Sequence, residues 1–288
     1  MKKNLIKSMQ PKLFNEDYLR HLCQQYNIIP SKKYGQNFLI DPEPIEEILA
    51  AAEIKKDDVV VEVGPGFGVL TLALAEKASK VLAFEIEKKL TPYWEEQTKN
   101  YKNIEIIWGN VLREVESQKS VKSLKSYKVV ANLPYQITSN AIRTFLESEH
   151  QPQVMVLMVQ KEVAERICTK AGDMSVLSVS VQYYGEPEIV AYVPRTCFWP
   201  APAVDSAVLK VSIKKQVVSS KEDVAEFFKI VKVGFSSRRK MLIKNLSAVA
   251  GRGELQRIFK EVGVDEQARA QELNMKQWRE LVRKVKSL

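Results

Sequence analysis

Val59-Val60-Val61-Glu62-Val63-Gly64-Pro65-Gly66-Phe67-Gly68 is the stretch on which the architecture turns. A run of β-branched residues reads as a buried strand, and the glycines behind it mark a turn. Residues 69–78 then carry the pattern of a helix. The alternation continues, with further strands expected at 80–85, 104–107, 127–131 and 154–159, and helices at 90–98, 139–147 and 161–169. A β-α-β-α order implies an α/β fold whose mainly parallel sheet is covered by helices on both faces. Residues 176–184, 188–193 and 207–213 read as strands without helices between them, so an antiparallel pair is expected to complete a seven-stranded sheet.

Composition divides the chain. Residues 210–288 hold 19 Lys and Arg against 9 Asp and Glu, whereas residues 1–209 hold 25 against 26, so the whole basic excess lies in the last quarter. A nearly neutral body with a basic tail domain points to a polyanionic partner. From about residue 214 the periodic segments all read helical, at 221–234, 237–249, 253–262 and 275–286. The expected domains are therefore an N-terminal extension 1–30, an α/β domain 31–213 and a small all-helical domain 214–288. Within the extension, residues 17–23 read as a short amphipathic helix closed off near Pro30. No apolar run reaches the length of a membrane span and the start lacks the apolar core of a secretory signal, so a cytoplasmic location is expected. Cys23, Cys168 and Cys197 form no C-x-x-C pair, and His21 and His150 sit in no triad or ligand motif, so neither a metal nor histidine catalysis is expected.

Two constellations carry chemistry. Gly64, Gly66 and Gly68 form a G-x-G-x-G turn between strand and helix, where glycine lets the backbone bend and approach a ligand closely. The spacing is not the G-x-G-x-x-G that cradles a pyrophosphate. Glu85 ends the second strand 21 residues after Gly64, where a carboxylate can accept from both hydroxyls of a ribose. Together they suit a nucleoside ligand with a ribose and no phosphate, such as S-adenosylmethionine. The second constellation, Asn132-Leu133-Pro134-Tyr135, follows the run 127–131 and so falls at the carboxyl end of a strand, where ligands bind in such sheets. An amide, a stiffened backbone and an aromatic ring in sequence suit gripping a planar base by its exocyclic amine while stacking on its face.

With Gly35-Gln36-Asn37-Phe38-Leu39, with Phe198 to Val208 (Phe-Trp-Pro-Ala-Pro-Ala-Val-Asp-Ser-Ala-Val) and with Arg238-Arg239-Lys240-Met241-Leu242, these motifs resemble the ribosomal RNA adenine N6,N6-dimethyltransferase family. The resemblance is narrower to the bacterial small-subunit enzymes that act on two adjacent adenosines near the 3′ end of 16S rRNA, and it runs from about residue 31 to the end. It implies a Rossmann-like methyltransferase fold, S-adenosylmethionine as cofactor and 16S rRNA within a small-subunit precursor as partner; nothing in the sequence asks for more than a monomer. Asn37, Leu39, Gly64, Gly66, Glu85, Asn110 and Asn132 fall on the family's cofactor contacts. Asn110 departs from the usual aspartate that holds the cofactor's adenine amine, giving up a charge-assisted bond. The resemblance further implies that Asn132 and the Leu133 carbonyl take the amine's hydrogens, that Pro134 stiffens the loop, and that Tyr135 and Phe198 face the base. Arg238, Arg239, Lys240 and Lys244, with Lys32 and Lys33, are implied to touch rRNA phosphates. The rival readings are a 23S rRNA adenine methyltransferase of the resistance type, a DNA adenine methyltransferase and a non-catalytic assembly factor.

Overall fold

The computed structural model describes residues 11–30, 36–116, 124–214 and 220–288. Lys32, Lys33 and Gly35 lie outside the described residues. The chain divides into two units, Met1–Ala164 with Pro187–Ile213, and Glu165–Glu186 with Lys214–Leu288.

In the first unit the strands are β1 (Phe38–Leu39), β2 (Val59–Val63), β3 (Lys80–Glu85), β4 (Ile104–Trp108), β5 (Lys128–Asn132), β6 (Val154–Gln160), β7 (Gly185–Val193, which begins in the second unit), β8 (Phe198–Trp199) and β9 (Ser206–Ile213). Seven of them form one sheet in the order β4-β3-β2-β5-β6-β9-β7. β2 runs parallel to β3 and β5, β3 to β4, and β5 to β6, while β9 runs antiparallel to β6 with Leu157 opposite Leu209. Neighbouring residues of a strand point to opposite faces. Val60 and Val61, Val129 and Val130, and Met155 and Val156 are all 0% exposed, so both faces are covered. Helix Glu43–Ala52, opened by Pro42 and Pro44, lies on β5, β6 and β9, and helix Val69–Ala75 lies on β3.

At the strands' amino ends, buried Lys128 pairs with Asp58 at 2.8 Å and donates to the carbonyls of Ala52 and Glu53, closing the end of helix Glu43–Ala52. β1 and β8 form a separate antiparallel ribbon, with Leu39 opposite Phe198 and Phe38 opposite Trp199.

The second unit is helical, with helices Val176–Tyr184, Lys221–Gly234, Leu242–Leu246, Arg252–Val262 and Met275–Lys286 around a core of Phe227, Ile230, Leu246, Phe259, Trp278 and Leu281. Val176–Tyr184 corrects the expectation of a strand. Its Val/Ser alternation has period two, but Ser175 caps a helix through reciprocal bonds with Ser178, and Ser178, Val179, Ser180 and Val181 are all buried. Burial on several sides at once overrides the strand propensity of valine. The helix expected at 237–249 is likewise shorter, and Arg238, Arg239 and Lys240 sit in the turn before it.

Candidate active site

The sheet order reverses between β2 and β5, since β3 and β4 continue to one side and β6 to the other. At such a switch point the loops leaving two adjacent strands turn apart and open a crevice at the strands' carboxyl ends. The loop leaving β2 is the glycine turn, and the loop leaving β5 is Leu133-Pro134-Tyr135. A cavity lies there. It is lined by Asn37, Leu39, Gly64, Gly66, Glu85, Asn110, Asn132 and Pro134. Leu133, Tyr135 and Phe198 do not line it.

The glycine turn is held from behind. Gly64, Gly66 and Gly68 have φ of +70°, +55° and +84°, the left-handed region in which a side chain is strained. Trp94 Nε1 donates to the Gly66 carbonyl at 3.1 Å, and Tyr93 Oη donates to the Phe67 carbonyl at 2.7 Å. The Gly66 N–H is taken by Glu85 Oε2 at 3.2 Å, while Glu85 Oε1 accepts from Ile86 and Glu87 at 2.8 Å each. Glu85 is thus 6% exposed and fixed by three backbone donors. Burial raises its pKa, and those three bonds hold the rise down.

Glu62 also lines the cavity, and sequence reasoning passed over it. It is 1% exposed, and its Oε2 has no hydrogen-bond partner among the described residues. Burial pushes its carboxyl up to about 8; the Thr71 hydroxyl lies near enough to restrain the rise, although it makes no well-formed hydrogen bond, and the Glu85 carboxylate adds to it. The signal was present in the sequence as one acid inside Val59–Val63.

Asn132 ends β5, and its Nδ2 donates a long 3.5 Å bond to the Asn37 carbonyl. That bond occupies the nitrogen side of the amide and leaves Oδ1 as an acceptor. Leu133 is 2% exposed, and its N–H is bonded to the Met158 carbonyl. Tyr135 is half-buried, with its hydroxyl bonded to Ser206 Oγ at 2.6 Å; burial raises its pKa against that bond. Phe198 is 3% exposed within the β1–β8 ribbon, packed in the same core as Leu39. Asn110 precedes helix Val111–Glu116, and its Oδ1 already accepts the Leu112 N–H at 3.0 Å. In the second unit Arg238, Arg239, Lys240 and Lys244 are exposed, and their side chains make no hydrogen bond or ion pair among the described residues.

The arrangement suits a ligand with a diol for Glu85, a cationic group for Glu62 and a reacting group near Asn132. Residues 30–286 match the ribosomal RNA adenine dimethylase family. The chain is 39% identical over 264 residues to "Ribosomal RNA small subunit methyltransferase A" of Dehalococcoides mccartyi, covering 91% of this chain and 90% of the relative. It is 38% identical over 276 residues to the protein of the same name from Clostridioides difficile, covering 93% and 94%. Among solved structures, the 23S rRNA methyltransferase ErmE superposes with a TM-score of 0.72 at 26% identity, over 87% of this chain and all of that one.

Proposed function

The chain belongs to the ribosomal RNA adenine dimethylase family, and from that membership we propose that it dimethylates the N6 amines of two adjacent adenosines near the 3′ end of 16S rRNA in a small-subunit precursor. Membership implies a methyl donor of the S-adenosylmethionine type. The cavity fits that donor: Glu62 Oε2 is buried without a hydrogen-bond partner among the described residues, a cationic ligand would draw that carboxyl into its charged form, and the bare glycine backbone admits a close approach. A carboxylate offers about four acceptor positions, of which three at Glu85 are taken by backbone N–H groups, so the diol would share the remainder. Asn110 would meet the adenine with the lone pair that Leu112 does not occupy. When bound, S-adenosylmethionine supplies a methyl group activated by its sulfonium.

Adenine N6 is a weak nucleophile because its lone pair is delocalised into the ring. The protein's task is to draw the amine's hydrogens toward acceptors and turn the lone pair outward. Asn132 Oδ1 and the Leu133 carbonyl serve as those acceptors. Tyr135, its hydroxyl pinned by Ser206, offers a ring to the flipped base, and Pro134 holds the loop between them. Phe198 is the proposed second ring, and as a buried member of the β1–β8 ribbon it reaches the base only when that ribbon yields it. Arg238, Arg239, Lys240 and Lys244, with Lys32 and Lys33, are proposed to hold rRNA phosphates.

What supports the small subunit over 23S rRNA is the higher identity to relatives carrying the small-subunit name, 39% against 26% for ErmE. The observation that carries a catalytic reading over a mere assembly factor is Asn132, set at the switch point with its amide oxygen unspent among the described residues. Asn132→Ala is expected to lower methyl transfer by about 10²- to 10³-fold while binding to small-subunit particles persists. Methyl transfer unaffected by Asn132→Ala would contradict the reading.

A further inference from the structure

Pro11 to Ile28 lies upstream of residues 30–286, which match the family description, and no role follows from its sequence alone. Its main element is the amphipathic helix Glu16–Gln25, opened by Asn15, whose side chain accepts the Tyr18 N–H at 2.9 Å. The helix turns Glu16 and Arg20 to solvent and buries Leu19, Leu22 and Cys23. Leu13, Leu19 and Ile28 are 2%, 1% and 5% exposed, and all three line the cavity that Gly64, Glu85 and Asn132 also line.

The segment is tied to three other walls of that cavity. Tyr26 packs on Phe67 of the glycine turn at 6.5 Å and edge-on to Tyr93 at 5.7 Å, and Tyr93 holds the same turn through the Phe67 carbonyl. Asn27 turns the chain at φ +53°, and its carbonyl accepts from Lys89, four residues beyond Glu85. Arg20 lies 4.7 Å over the Trp199 ring of β8, the strand paired with the Leu39-bearing β1. A crevice at the carboxyl ends of strands is open outward unless something covers it. Here Leu13, Leu19 and Ile28 supply an apolar part of the lining.

We propose that Leu13, Leu19 and Ile28 of this segment are a working part of the cofactor site, an apolar wall that retains the bound cofactor by slowing its escape. This rests on reading the cavity as the S-adenosylmethionine site. Excluding water from one side strengthens the polar contacts that Glu62 and Glu85 make on the other. Dissociation must then expose or displace the wall, so its loss acts on the off rate.

The test measures S-adenosylmethionine binding by calorimetry and its dissociation by stopped flow, on the full chain and on three variants checked for folding by circular dichroism. Leu19→Ala combined with Ile28→Ala trims the wall. Leu22→Ala removes a side chain that is buried on the same helix but does not line the cavity. Deletion of residues 1–29 removes the segment. The expected result is at least tenfold weaker binding for the trimmed and deleted proteins, carried by faster dissociation, with Leu22→Ala lowering the melting temperature and leaving affinity within twofold. Unchanged dissociation in the folded trimmed protein would overturn the proposal, as would an equal loss of affinity in Leu22→Ala, which would mark the effect as one of stability. A full chain that binds no S-adenosylmethionine would instead overturn the cofactor reading beneath it.

Discussion

Glu62 shows what one side chain adds to a site. Its carboxyl stands in a strand of valines, with no partner for Oε2 among the described residues and a pKa pushed up to about 8 by burial. The native chain therefore keeps a proton that the unfolded chain releases at the ordinary carboxyl value of 4.5. The ligand-free protein binds more protons folded than unfolded across that window, so its stability falls as pH rises from about 4.5 to about 8. The slope approaches about 1.4 kcal/mol per pH unit. Glu62→Gln, neutral throughout, should flatten it, and melting temperatures between pH 5 and 8 will show whether the two proteins diverge. Parallel curves would mean that Glu62 ionises normally. Asn110 shows the opposite case, a residue legible in sequence whose environment was not. A polar residue before a short helix can cap it, and here the cap bond takes one of the lone pairs that sequence reasoning had assigned to a ligand.

The glycine turn is the element that converts the sheet into a site. Its φ values demand glycine at three positions, but space differs among them. A β-carbon on Gly68 would sit 2.7 Å from Trp94, one on Gly66 would meet Phe38 at 3.4 Å, and one on Gly64 would meet Pro134 at 3.7 Å. Gly68→Ala should therefore cost about 2–4 kcal/mol, the backbone and the clash together, against about 1–2 kcal/mol for Gly66→Ala or Gly64→Ala. Urea denaturation of the three variants ranks them, and equal losses would show that Trp94 moves aside freely. The elements of the sheet were legible because each strand is a short apolar run bounded by turn residues: β3 falls on the expected 80–85, and β2 on Val59–Val63. Val176–Tyr184 was not legible, since a period-two pattern of valine and serine says nothing of how many sides will be buried. The β1–β8 ribbon, two residues from each of two distant stretches, leaves no local signal at all.

At the scale of the molecule, charge and chemistry are divided between units. The neutral unit carries the cavity, and the basic one carries Arg238, Arg239 and Lys240 in an exposed turn. That turn is set by Asn245, whose buried amide donates to the carbonyls of Gly234 and Ser237. If these arginines hold phosphates, Arg238→Ala with Arg239→Ala should reduce the salt dependence of RNA binding, lowering the log–log slope by about 1.4 to 1.8. An unchanged slope would place the RNA elsewhere. Composition revealed the basic excess of residues 210–288, but not that Glu165–Glu186 leaves the first unit to join the helical one, because nothing local distinguishes that excursion. The most direct measurement is methyl transfer from labelled S-adenosylmethionine to small ribosomal subunits lacking the modification, followed by nuclease digestion and mass analysis of the nucleosides. The expected product is N6,N6-dimethyladenosine at two adjacent positions near the 16S 3′ end. Label confined to 23S rRNA, or binding without any methyl transfer, would contradict the account.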